Sequence, residues 1–218
     1  MITLKTIAEH PQIKAFIEKS NNYLGEIGYT EHGFRHAQFT ADNARFILRE
    51  LGYPSREQEL AAIAGYIHDM GNFMGRENHP QASALLAFTT LNSLGMDEKE
   101  IALIMNAISN HEEETGIPTD AISSSVVIAD KADVHRTRVR TTKFINFDIH
   151  DRVNYAVTES KIKVDKRNKI ISLFLEIDQE ISQIMEYFEI FLSRMLACRK
   201  ASSMLGCKFQ LIINGVRL

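Results

Sequence analysis

The sequence predicts a mainly α-helical body with a small C-terminal α+β appendage, and three observations carry that expectation. Apolar residues recur at helical spacing through the first two thirds of the 218-residue chain. Near Phe144 the character changes to β-branched and aromatic residues with partial period-two alternation. The composition is globular, with 44% hydrophobic and 24% charged residues, enough to bury a core without disulfide or metal staples. A helical domain over residues 1–143 and a subdomain over 144–218, made of antiparallel strands plus one long helix, are therefore expected.

Between Glu31 and Leu51 the apolar residues share one helical face. Gly52 stands where a left-handed cap would close that helix, with Pro54 just beyond. Ser55 reads as the next N-cap, because Gln58 three positions on can complete a capping box. The helix it opens, "REQELAAIAGYIHD", is apolar over most of its surface and is expected to be the most buried one. His79-Pro80 opens another, with Pro80 at the first helical position and Gly95 as its stop. Asp97 with Glu100 gives a further capping box before "IALIMNAISNH". After a turn-rich stretch holding Gly116 and Pro118, Ala121 to about Val139 reads as one helix. "RVNYAVTESKIKVDKRNKIISLFLEID" reads as two strands around a "VDKRN" turn. A long helix from about Gln179 to Leu205, stopped by Gly206, leads to "CKFQLIINGVRL" as a last strand.

A formal charge of -3 and a pI near 6.2 argue against a general nucleic-acid binder, which needs a basic face for phosphates. Cys198 and Cys207 are the two cysteines, a usage that suits a reducing compartment. No basic start followed by an apolar run is present, nor an apolar stretch of bilayer-spanning length. The expectation is a soluble cytoplasmic protein with no membrane partner.

Imidazoles and carboxylates at predicted helix ends give His36, His68, Asp69, His79, His111 and Asp130. Taken singly, a histidine at a helix end is an ordinary structural residue. Jointly, the six offer four nitrogen and two anionic oxygen donors that helices of a bundle can bring to one point, enough for two metals with Asp69 between them. Two cations roughly 3.5 to 4 Å apart can hold a hydroxide and orient a phosphoryl group. Imidazole-rich ligation favours Mn, Fe, Co, Ni or Zn over Mg.

The order His36, His68-Asp69, His79, His111, Asp130 resembles the HD-domain superfamily of metal-dependent phosphohydrolases. The flanks "RHAQFTADNARFILRELG", "AAIAGYIHDMGN", "ISNHEEETGIP" and "VVIADKAD" resemble it too, so that the likeness runs from about Tyr29 to Arg138. The resemblance implies that His36, His68, Asp69 and Asp130 are core metal ligands, and that His79 and His111 are the additional histidines of binuclear members in which Asp69 bridges. It further implies one or two divalent transition metals per chain and hydrolysis of a phosphomonoester or phosphodiester, commonly a nucleotide. Two departures set the chain apart from the cyclic-dinucleotide phosphodiesterases of the superfamily. Asn72 stands where many members have a lysine. Asn110 precedes His111 where those enzymes carry a second histidine, and "GIP" stands in for Gly-Tyr-Pro.

Around the site, a continuous helix over Ala121–Val139 would align Asp130, Asp133, Thr137 and Thr141 on one stripe, making Asp133 a candidate proton acceptor or orienter beside catalytic Asp69. Arg136 and Arg140, one turn apart, are candidates for clamping a phosphate, with Arg35 and Asn72 as further substrate-binding candidates; a charged solvent face, Lys131 included, is the plainer reading of that segment. His32, one turn before His36, is a candidate pocket residue, while His135 and His150 read as core or surface histidines. Glu112 and Glu113 either bind a polar substrate group or are solvated. Two other functions share these features: a di-iron oxygenase with a similar ligand set, and a non-catalytic ligand-binding regulatory module, whose signature would be a lost ligand. The appendage is expected to supply a lid, a partner surface or a homodimer interface.

Overall fold

The structure, a computed structural model, describes residues 1–140 and 148–218. The expected boundary at 143/144 and the stripe position Thr141 lie outside the described residues. Among those described, helices run α1 Leu4–Glu9, α2 Pro11–Glu26, α3 Phe34–Leu51, α4 Ser55–Ile67, α5 His79–Ser93, α6 Glu98–Ser109, α7 Ala121–Lys131, α8 Ile149–Ala156 and α9 Ile184–Met204. The strands are β1 Val157–Asp165, β2 Ile170–Ile177, β3 Lys208–Ile213 and β4 Val216–Arg217. The fold is thus a mainly helical body with a small α+β part at its C-terminal end. None of the described helices is long and apolar enough to cross a membrane.

Helix α4 occupies the centre. Every residue from Leu60 to Ile67 is buried, because the segment is apolar or small around its whole circumference, and α1, α3, α6 and α7 pack on it. Fully buried side chains such as Ile63 and Ile67 each stabilise the body by roughly 1.5–3 kcal/mol. Its position decides where its C-terminal end, His68-Asp69, must lie. Gly52 closes α3 in the left-handed conformation the sequence anticipates, at φ 86.

β1 and β2 pair antiparallel as the predicted hairpin, whereas β2 and β3 are parallel and α9 makes the crossover between them. β3 turns back into β4 through Asn214 and Gly215, both at positive φ, as in the tight hairpin turns that match strand twist. Ile171, Leu173 and Leu175 of β2 face inward, and α9 packs on α7, so one apolar cluster joins the sheet to the helical body.

Several boundaries differ from the expectation. Glu31 to Gly33 precede α3, since the Glu31 N–H donates to Arg138 O (2.8 Å) and the Glu31 carboxylate accepts from Gly33 N and Arg35 Nε. The Ser55 capping box does not form: Pro54 is the N-cap, and the Gln58 side chain donates to Tyr53 O instead. Asp97 does cap α6 through Lys99 N and Glu100 N, but the Glu100 carboxylate pairs with Arg56. Helix α7 stops at Lys131 and not near Val139, because Arg138 folds back to donate to Asp133 O and Glu31 O. The only helix beyond it in that segment is one 3-10 turn at Arg136–Arg138. "RVNYA" lies in α8, capped by Asp148, and not in a strand. Helix α9 begins five residues later than expected, where Gln183 and Glu186 form a reciprocal capping box after a turn at Asp178–Ser182.

Candidate metal centre

Five helices deliver the six candidate ligands. His36 lies in the first turn of α3, His68 caps the end of α4 and is followed by Asp69, His79 opens α5, His111 follows the end of α6, and Asp130 is in the last turn of α7. All six are buried. Asp69 faces two ways: Oδ2 lies 3.4 Å from His68 Nε2 and 3.7 Å from His36 Nε2, while Oδ1 lies 3.2 Å from His79 Nε2 and 3.6 Å from His111 Nε2. Asp130 Oδ1 is 3.3 Å from His36 Nε2 and 3.6 Å from His68 Nε2. The Nε2 atoms of His36 and His68 are 3.2 Å apart, and those of His79 and His111 are 3.0 Å apart.

The opposite edge of each ring explains this convergence. His68 Nδ1 donates to Gly65 O (2.8 Å), His79 Nδ1 to Arg76 O (2.7 Å) and His111 Nδ1 to Ile108 O (2.6 Å), each three residues back along the chain. His36 Nδ1 donates to Asp133 Oδ2 at 2.6 Å. With every Nδ1 proton committed to an oxygen, each Nε2 presents its lone pair to the centre. Four lone pairs and two carboxylates aimed at one another repel unless a positive charge lies among them. The donor set therefore fits divalent metal ions, in groupings such as His36–His68–Asp130, His68–Asp69–His111 and His79–His111–Glu112.

The titration of these groups follows from the same crowding. Burial opposes charge on His68, but Asp69 and Asp130 outweigh it and raise its pKa to about 10, so that without a cation a proton takes the neutralising role. Burial would raise both carboxyls; instead His68 holds Asp69, and Lys131 with His36 holds Asp130, well below the usual carboxylate range. Burial, with His68 and His79 nearby, lowers His111.

Asp133 stands behind His36 with no solvent exposure, and not beside the reacting space. Arg35 grips it bidentately at 3.0 and 2.7 Å, and Arg138 lies 3.7 Å away. Burial would raise its carboxyl, yet Arg138, His36 and Arg35 outweigh burial and keep it ionised. It orients His36 as a positioning residue, and the sequence expectation of a proton acceptor gives way to that placement. Arg35, expected on substrate, is spent on Asp133 and Glu31. Asn72 is fully buried and faces Asp69, donating to its backbone oxygen and to Oδ1, both at 2.9 Å, so it holds the ligand and has no free edge toward a substrate. The Arg136–Arg140 clamp is absent, because the helix that would align them ends at Lys131. Arg136 lies over the Tyr155 ring, and Arg140 donates to Tyr29 O, Asn21 O and Thr30 O. Gly71 has an ordinary φ of -94; the residue is small for room, since a Cβ there would lie 2.4 Å from Ser83 N.

His32 lines a cavity of about 530 Å³ beside the cluster, together with Tyr29, Arg76, Glu112, Phe191 and Arg194. Its Nδ1 bonds Thr30 O at 2.7 Å, and burial with Arg138 lowers its pKa. His135 bonds Thr158 O away from the site, and exposed His150 lies at the outer part of the cavity wall. Several cations went unread as site residues. Lys131 is buried between Asp130 Oδ2 (2.8 Å) and Glu113, which raise its pKa against the effect of burial. Glu113 also pairs with Arg194 of α9 (3.4 Å), which brings the C-terminal part into the wall. Arg76 packs over Tyr29 and reaches Asn72, His79 and Glu112. The signal available for Lys131 was its adjacency to a candidate ligand, and for Arg76 its place in the "RENH" loop before Pro80, which is expected to border the mouth of the site; for Arg194 the sequence offered none.

Residues 33–137, which hold all six candidate ligands, match the family model for the HD domain. The match and the His/Asp clusters support a hydrolase dependent on divalent metal. An uncharacterized protein of Methanocaldococcus jannaschii is 27% identical over 206 residues, covering 83% of this chain and 78% of that one. Among solved structures, a predicted HD superfamily hydrolase from an uncultured Thermotogales bacterium is similar with a TM-score of 0.45 at 19% identity, over 62% of this chain and 75% of its own. A Lactobacillus plantarum protein is similar with a TM-score of 0.45 at 15% identity, over 92% and 94% of the two chains.

Proposed function

We propose, from the premise that residues 33–137 match the HD domain, that the chain is a phosphohydrolase acting on a phosphomonoester or phosphodiester in a nucleotide or a molecule of similar size. The observation that carries this reading is the two-faced Asp69, each of whose oxygens meets its own pair of imidazole nitrogens. His36, His68, Asp69 and Asp130 would hold one divalent ion, and His79 and His111 with Asp69 a second. Ions held by these residues would supply Lewis-acid polarisation of a phosphoryl oxygen and acidification of a bound water.

The chain's own residues supply the rest. Asp133 fixes the His36 tautomer, and Asn72 fixes the carboxylate of Asp69. Arg76 and Arg194 bring positive charge to the cavity, where an anionic ester must be desolvated. His32, held neutral with Nδ1 committed to Thr30, keeps Nε2 as a basic atom on the same wall. The division of the chain into a catalytic helical domain and a C-terminal subdomain is part of the proposal, the latter walling the cavity through α8 and α9.

The test is to strip the protein with chelator, reload it separately with Mn, Fe, Co, Ni and Zn, and measure phosphate release from a panel of mono- and diesters. Metal-dependent release from at least one ester is expected. Oxygen consumption by the iron-loaded protein without phosphate release from any ester would overturn the reading in favour of oxygenase chemistry.

A further inference from the structure

The two halves of the ligand cluster differ in what already sits on their nitrogens. Arg76 holds the His79 ring from both sides: its backbone oxygen accepts from Nδ1 at 2.7 Å, and its Nη1 lies 2.9 Å from Nε2 and 3.3 Å from Nδ1. The guanidinium is held there by Asn72 Oδ1 (3.2 Å), by Glu112 Oε2 (3.5 Å) and by the Tyr29 ring beneath it (5.5 Å to the centroid). In the other half, the nearest cation is Lys131, and it bonds Oδ2 of Asp130, the oxygen that does not face His36 and His68. Among the described residues no lysine or arginine is in contact with His36 Nε2 or His68 Nε2.

A metal ion coordinated by His79 Nε2 would meet a full positive charge within contact distance of the ligand atom itself. The guanidinium would have to leave three partners before that ion could bind. We propose that Arg76 makes the two halves unequal: the His36–His68–Asp130 half loads first, and Arg76 acts as a stand-in cation on His79 that holds back the second metal until it swings away. This rests on the reading of the cluster as a metal centre, and concerns how that centre fills. Because Asn72 and Glu112 hold the guanidinium, and Asn72 also holds Asp69, entry of the second ion is coupled to rearrangement at the mouth of the cavity.

The experiment is a Mn²⁺ titration of chelator-stripped full-length protein, followed by calorimetry and by metal content after gel filtration, for the wild type, Arg76→Gln and Arg76→Lys. The wild type is expected to take one equivalent tightly and a second at least tenfold more weakly. Arg76→Gln should strengthen the second equivalent about tenfold while leaving the first within a factor of two, and Arg76→Lys, which keeps the charge, should keep the gap. Two equivalents of equal affinity in the wild type would overturn this inference and leave the metal centre standing. So would Arg76→Gln binding the second ion no better than the wild type. A wild-type chain that takes up neither Mn²⁺ nor Fe, Co, Ni or Zn ions in the same titration would overturn both this inference and the function above.

Discussion

The two halves of the candidate ligand cluster use the same chemistry on their inner face and differ in part behind it. His68 of the first half rests on a main-chain oxygen, like both histidines of the second. His36 and Asp130 are backed by charged side chains, with Asp133 between Arg35 and Arg138 on one side and Lys131 between Asp130 and Glu113 on the other. His79 and His111 are backed by main-chain oxygens three residues upstream. A buried ion network fixes a ligand firmly but fails expensively when one member is lost, whereas a main-chain carbonyl is neutral and is not removed by a side-chain substitution. The first half is therefore the one that point substitutions can break, and the second the one that loop conformation can adjust.

Asp69 belongs to both halves, so its replacement should have the largest effect. Asp69→Asn is expected to abolish tight metal uptake in both halves and to lower ester hydrolysis by about 10²–10³-fold or more, the scale on which a site loses a principal charge. Retention of one tightly bound equivalent by this variant would show that the halves do not share it. Asp133→Ala should strike the first half alone. It leaves buried Arg138 without its carboxylate, while half-buried Arg35 keeps Glu31, which predicts destabilisation of about 3–5 kcal/mol in denaturant melts. It should also weaken the first metal about 10–100-fold. Unchanged stability would mean that the network behind His36 contributes nothing net.

The third and smallest effect is on pH. His68 has its pKa raised from 6.5 to about 10 in the metal-free protein, so its contribution to stability is complete below 6.5 and is lost as pH rises through 10. The melting temperature of chelator-treated protein should fall across that window, and metal loading should flatten the fall. A flat profile without metal would remove the charge-crowding account of the cluster.

The six candidate ligands were legible from their residue types and their order along the chain, although Asp130 was expected in mid-helix, and α4 was legible as the core because its residues from Leu60 to Ile67 are apolar or small. The second layer was not. Lys131 and Arg138 read as solvated charges in a segment where folding buries both, and nothing local shows that Arg138 will reach Glu31 across the chain. That contact ends α7 early and so dissolves the predicted Arg136–Arg140 clamp, a case of tertiary partners overriding helical propensity. Asn72 was legible as a departure but not as a support for Asp69, since its orientation depends on the turn after the helix. The sheet's hairpin was readable from its alternation, whereas the parallel pairing of β2 with β3 rests on where α9 packs, which no period within the strands encodes.

The cavity wall contributed by α9 also has a meaning in time. Synthesis delivers the last candidate ligand at Asp130, yet Phe191 and Arg194 emerge some sixty residues later. At a translation rate of about 5–20 residues per second, the ligand-bearing helices are exposed for several seconds before the element that packs on α7 exists. During that interval the growing chain owns all six candidate donors and the Tyr29, His32, Arg76 and Glu112 side of the cavity, but not the wall from α8 and α9, so on the proposed reading the order of the sequence places the metal donors ahead of the completed substrate cavity.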